Sequence, residues 1–116
     1  MKEPSELVKR LTVSQPAEVT PEKSSRALKE RIDRGYVHIK FKKTGTEFGF
    51  RLNGRECRYD KADFANGRGT VRLAGGMILD DDKVRVTAEI DLATGEGTAR
   101  LEPVSEEEYE RVRGGD

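Results

Sequence analysis

The spacing of apolar side chains changes character near Tyr36. Before it the pattern is helical and sparse. Leu7, Val8, Leu11 and Val13 suggest a short helical turn ahead of Pro16. Thr20-Pro21-Glu22 reads as a helix start, with Thr20 as N-cap, Pro21 in the first turn and an acid behind it. Gly35 reads as its end, after the cation Arg34. Glu22/Arg26, Arg26/Glu30 and Lys29/Asp33 are spaced as opposite-charge pairs one turn apart. The apolar stripe of this helix is narrow, only Ala27, Leu28 and Ile32, so it can lie on a core but not build one. Between the two helical pieces, Ser14 to Val19 reads as an extended linker.

From Tyr36 the period becomes two, as in half-buried strands. Val37, Ile39 and Phe41 alternate with Tyr36, His38, Lys40 and Lys42. Phe48, Phe50 and Leu52 alternate with Glu47, Gly49 and Arg51. A two-residue loop at Thr44-Gly45 pairs Phe41 with Phe48, Ile39 with Phe50, Val37 with Leu52 and Lys42 with Glu47. Asn53-Gly54 is a hairpin signal that pairs Phe50 with Cys57 and Phe48 with Tyr59. A loop at Asp81-Asp82 pairs Leu79 with Val84, Leu73 with Ile90 and Arg72 with Asp91. A four-residue loop, Ala93 to Glu96, then pairs Ile90 with Ala99 and Glu89 with Arg100. Gly75-Gly76 falls in mid-strand, where glycine marks a bulge or bend, and Pro103 ends the last strand.

Two three-stranded meanders result, roughly 36–59 and 70–103, joined through Ala62, Phe64 and a turn at Asn66 to Gly69. The expected fold is α+β and mainly antiparallel β. A six-stranded meander forms a small sandwich or barrel, with an N-terminal helical segment and a short C-terminal helix. The expected organisation is a helical arm over 1–35, a β domain over 36–104, and a short acidic helix and tail over 105–116. Ser105 with Glu108 has the spacing of a capping box, and Val104 with Tyr109 that of a hydrophobic staple.

Composition narrows the function. The chain has 116 residues, 38% charged and 34% hydrophobic, with 22 basic and 22 acidic side chains. Mean hydropathy is −0.78. No apolar run approaches the roughly 18 residues of a membrane span. Met1 to Glu6 is followed by no apolar segment of the secretory kind, so a small soluble cytoplasmic protein is expected. One cysteine and one histidine exclude a disulfide framework, a cysteine zinc site and a multi-histidine metal site. No metal and no cofactor is expected.

Net neutrality hides an asymmetry. Residues 26–58 carry ten basic and four acidic side chains; residues 80–116 carry five and twelve. Such a split suits an anionic partner at one part or attraction between the parts. No catalytic residue is assigned, because His38 faces the cation Arg51 in the expected register and Cys57 points inward without a base beside it. Asp60 with Asp63 is the one carboxylate pair outside turns and exposed strand faces. Asp80-Asp81-Asp82 could ligate a hard cation but lacks the spacing of a calcium loop, so a solvated turn is the simpler reading.

Two surfaces remain. The outer face of the first strands collects Tyr36, His38, Lys40, Arg51 and Arg58 around Gly49, a gap where a phosphate could approach and Tyr36 could stack a base. The N-terminal arm carries Leu7, Val8 and Leu11, which should be buried either on the sheet or against a partner or second copy. The resulting expectation is a non-enzymatic protein–protein interaction module, an accessory, adaptor or assembly subunit. The alternative is single-stranded nucleic-acid binding through the basic face.

Overall fold

The computed structural model describes residues 3–20 and 22–113. The elements in order are α1 (Glu6–Arg10), β1 (Gln15–Thr20), α2 (Ser25–Arg34), β2 (Tyr36–Phe41), β3 (Glu47–Leu52), β4 (Ala62–Asp63), β5 (Arg68–Leu79), β6 (Asp82–Asp91), β7 (Glu96–Pro103) and α3 (Glu106–Val112). Six strands close into an antiparallel up-and-down barrel. β1 pairs with β2, β2 with β3, β3 with β5, β5 with β6, β6 with β7, and β7 returns to β1. An even number of strands is what lets an up-and-down path close with every neighbour antiparallel. Two-residue β4 folds back on the start of β5 outside this ring.

The sixth stave is not the one expected. Gln15–Thr20, read as a linker, is β1 and sits between β2 and β7. Its alternation is visible in hindsight: Gln15, Ala17 and Val19 are buried, and Pro16 is exposed. Pro16 fits because its neighbours on both sides still pair through their own backbone groups. The barrel therefore begins at Gln15 rather than at Tyr36. Thr20 closes β1 instead of capping a helix, and its hydroxyl is buried without a partner among the described residues. The cap of α2 is Ser24, whose hydroxyl accepts from the Ala27 N–H; Gly35 ends the helix at φ +80° as expected. Pro21, expected in the first turn of the helix, lies outside the described residues. Of the three helical charge pairs, Lys29–Asp33 forms, at 2.7 Å.

Asn53-Gly54 does not reverse the chain. Leu52 pairs with Gly75 and Arg58 with Arg72, so five residues, 53 to 57, stand opposite Leu73 and Ala74. The strand line of β3 continues past a large bulge. Asn53 is 8% exposed, and its amide donates to the carbonyls of Arg111 at 3.0 Å and Val112 at 3.3 Å. Its oxygen accepts from the Arg55 N–H at 3.0 Å. These bonds tie the bulge to the end of α3 and replace the expected pairs Phe50–Cys57 and Phe48–Tyr59. Asn53→Ala should cost about 2 kcal/mol, since two carbonyls and an N–H lose partners in a mostly dry site. Urea denaturation checks it, with faster amide exchange at the C-terminal turn of α3 as the local signature.

The three remaining hairpins keep the expected faces but slip by two residues. β2–β3 pairs Ile39 with Phe48 and Val37 with Phe50. β5–β6 pairs Leu73 with Ala88 and Val71 with Ile90. β6–β7 pairs Ala88 with Ala99 and Ile90 with Gly97. Phe41 and Phe48 are thus not direct partners, although their rings meet at 5.9 Å; nor are Leu73 and Ile90. Turn chemistry explains the slips. A two-residue Thr44-Gly45 loop would need positive φ at a β-branched threonine. Instead only Gly45 is left-handed, at φ +74°, in a longer loop. Leu92 to Gly95 likewise ends on Gly95 at φ +71°. Asp80 and Asp81, at φ +51° and +67°, form the β5–β6 turn, and Asp82 accepts from the Ser5 N–H at 2.7 Å.

Inward residues fill the barrel: Val37, Ile39, Phe41, Phe50, Leu73, Val84, Val86, Ile90 and Leu101 are all 2% exposed or less. α2 joins β1 to β2 at one end and buries Leu28. α1 lies at the other end and contributes Val8 and Leu11. α3 has Ser105 as its cap and runs over β6 and β5 to bury Val112 against Gly76.

Candidate functional site

The expected basic face divides. Tyr36 pairs with Arg51, His38 with Gly49 and Lys40 with Glu47, so these four candidates share the outer side of β2–β3. Arg58 is elsewhere: it pairs with Arg72 on β5. The gap at Gly49 is filled. A Cβ there would fall 2.6 Å from the Tyr36 ring and 2.7 Å from His38 Nε2. The two rings meet edge-on at 5.2 Å above it. Glycine is needed at 49 because those rings occupy the space, not because a ligand does. His38 accordingly faces Gly49 and not Arg51.

The arm candidates are core. Val8 and Leu11 are 0% exposed within the chain itself, while Leu7 is half-buried. Cys57 is buried, and its Sγ lies 3.4 Å from the Ala74 carbonyl and 3.3 Å from the Ala74 N–H. Burial, then the hydrogen bond with Cys57, pushes the Tyr59 hydroxyl well above the usual phenol range. Asp63 is engaged by Asn66, which donates from its backbone and its amide and holds the carboxyl below its ordinary value. Asp60 lines a groove over β5. Among the described residues no group of three His, Cys, Asp or Glu side chains converges as metal ligands would, and no helix is long and apolar enough to cross a membrane.

Several charges serve the fold. Arg85 reaches Glu56 at 3.0 Å, Glu102 at 2.6 Å and Glu108 at 3.4 Å, which joins the bulge, β7 and α3. Glu96 lies between Lys42 at 2.6 Å and Lys23 at 3.1 Å, and these two ammonium groups hold its carboxyl below the usual range.

Two features stand apart from these structural roles. The first is a seam. β3 pairs with β5 only at Arg51–Gly76 and Leu52–Gly75. Below that point, Glu47 to Phe50 and Met77 to Leu79 have no ladder partner among the described residues on the sides that face each other. Antiparallel alternation sets the direction of their backbone groups. Phe41 donates to the Thr46 carbonyl and Leu52 to that of Gly35, so residues 48 and 50 bond towards β2. Glu47, Gly49 and Ile78 therefore turn their N–H and C=O groups to the seam. Phe48, Met77 and Leu79 are half-buried there, and Ile78 is 53% exposed.

The second feature is an arginine-lined face. Arg58, Arg72, Glu89 and Thr98 form one cross-strand row over β5, β6 and β7, and Thr87 with Arg100 lies in the next. Two adjoining shallow grooves of about 240 and 390 Å³ share Arg72 and Glu89. Arg72 and Arg100 were readable as outward from their apolar neighbours; their meeting with Arg58 depends on the bulge, which no local pattern announced. Compared with known proteins, the chain matches no family model and no curated relative.

Proposed function

We propose that the chain is a non-enzymatic protein–protein interaction module, an accessory or adaptor subunit of the cytoplasm, and that it takes an extended segment of a partner protein along the β3–β5 seam. The observation that carries this reading is the early end of the β3–β5 ladder. Unpaired strand edges template the addition of another strand, and apolar side chains beside them supply pockets for alternate residues. The partner segment would alternate apolar and polar residues, its apolar ones facing Phe48, Met77 and Leu79. The nucleic-acid alternative on Tyr36, His38, Lys40, Arg51 and Arg58 has less support, because Gly49 is covered and Arg58 lies apart.

The test is selection from a displayed random-peptide library. Ile78 turns its N–H to the seam, so Ile78→Pro should remove that donor while leaving the β5–β6 ladder intact. Selected peptides should bind the native chain, protect the Gly49 and Ile78 amides from exchange, and lose at least about tenfold in affinity to Ile78→Pro. Peptides that bind Ile78→Pro equally well, or a second copy occupying the seam in a mass-resolved chromatogram, would refute the proposal.

A further inference from the structure

We infer that the outer face around Arg58, Arg72 and Arg100 is a binding site for a linked phosphate anion, such as the polyphosphate of a nucleotide or an inorganic oligophosphate. Arg58 and Arg72 are direct cross-strand partners, each donating its backbone N–H to the other's carbonyl at 2.9 Å. Like charges placed opposite one another on a sheet oppose pairing. None of Arg58, Lys61, Arg72 and Arg100 has an ion-pair partner among the described residues. What sets this face apart is the direct pairing of two arginines, with Glu89 opposite Arg72 as the one acid in that cross-strand row, and a bound anion would relieve it.

The geometry favours phosphate groups in a chain. Guanidinium forks match phosphoryl oxygens two at a time. Arg58 and Arg72 stand about 5.5 Å apart at Cα as a bonded antiparallel pair, and Arg100 lies two strands across and two residues along from Arg72, about 12 Å at ordinary strand spacing and rise. A single tetrahedral ion cannot reach all three; linked phosphates can. Thr87 and Thr98 place hydroxyls in the interval. Glu89 and Asp60 also face the grooves, so the cationic excess is two. No aromatic ring lines either groove, so nothing there would stack a base. That separates this site from a single-strand platform.

Titration calorimetry of the full chain with inorganic tripolyphosphate, orthophosphate, adenosine triphosphate and a twelve-residue oligothymidylate tests the inference. Tripolyphosphate and adenosine triphosphate should bind alike and orthophosphate at least about tenfold more weakly, with affinity falling as salt rises. Arg72→Met should lose at least about tenfold, and Glu89→Gln should bind more tightly than the native chain. Without ligand, Arg72→Met should melt close to the native protein, because it removes both a like-charge pairing with Arg58 and an opposite-charge one with Glu89; with tripolyphosphate, the native protein should gain more than the variant. Orthophosphate binding as well as tripolyphosphate, an unchanged Arg72→Met affinity, a markedly lower ligand-free melting temperature for that variant, or an oligothymidylate that outbinds tripolyphosphate would each overturn it.

Discussion

Gly75→Ala should destabilise the protein by about 3 kcal/mol, and Gly75→Val should leave little folded chain. A Cβ at Gly75 would lie 2.0 Å from the Arg51 carbonyl oxygen and 3.0 Å from the Phe50 ring. The oxygen belongs to the backbone of the neighbouring strand and cannot rotate aside. Relief requires β3 and β5 to separate, and their contact is only the two residue pairs Arg51–Gly76 and Leu52–Gly75. A clash of one methyl group therefore strikes the narrowest closure of the barrel. The bulge anchored by Asn53 sits immediately beyond it, with the Asn53 N–H donating to the Ala74 carbonyl at 2.8 Å, so the loss should spread to α3. Equilibrium urea unfolding measures the change. Gly54→Ala is the matched control, because nothing lies within 4 Å of its added carbon; it should stay within about 0.5 kcal/mol of the native value. A tolerated Gly75→Ala would mean that the barrel is not closed at this seam.

The same glycine shows what the chain's pattern could and could not disclose. Gly75-Gly76 marks a mid-strand anomaly in the sequence, but the expected bulge is absent. Its cause is not local: β5 runs without a bulge against β6, and the glycines admit the β3 backbone and the end of α3. Alternation established which side chains face inward on β2, β3, β5, β6 and β7, because the period of two survives any slip by two. It could not establish the register, which the left-handed positions at Gly45, Gly95, Asp80 and Asp81 decide. β1 was missed because Pro16 and a single buried glutamine obscure a three-point alternation of Gln15, Ala17 and Val19. The candidate site fared accordingly. Tyr36, His38, Lys40 and Arg51 share a face as the alternation implied, whereas the position of Arg58 required a bulge whose reason, Asn53 reaching α3, lies 58 residues away in sequence.

Leu11→Ala should lower stability by about 3 kcal/mol, and removal of residues 1–13 should abolish cooperative unfolding. α1 has five residues, far too few to be helical by itself. It persists because of what it is bound to. Ser5 caps it by accepting from the Val8 N–H, and the Ser5 N–H donates to Asp82 at the β5–β6 turn. Beyond the point where β1 leaves β7, the Leu101 N–H donates to the Leu11 carbonyl at 2.7 Å. The chain before β1 thus takes over where the strand stops. Val8 and Leu11, both 0% exposed, fill that end of the barrel at about 1.5–3 kcal/mol each. Removing them takes a large fraction of the 5–15 kcal/mol that holds a small domain together. It also bares Leu101 and leaves its N–H unpaired. The melting temperature should fall by more than about 10 °C for Leu11→Ala, and the truncated chain should bind a hydrophobic dye that the native protein excludes. Val13, 64% exposed, supplies the contrast: Val13→Ser should change neither. An arm kept for a partner would give the opposite result, an unchanged melting temperature after truncation and a lost association. The buried positions of Val8 and Leu11 argue for the first outcome.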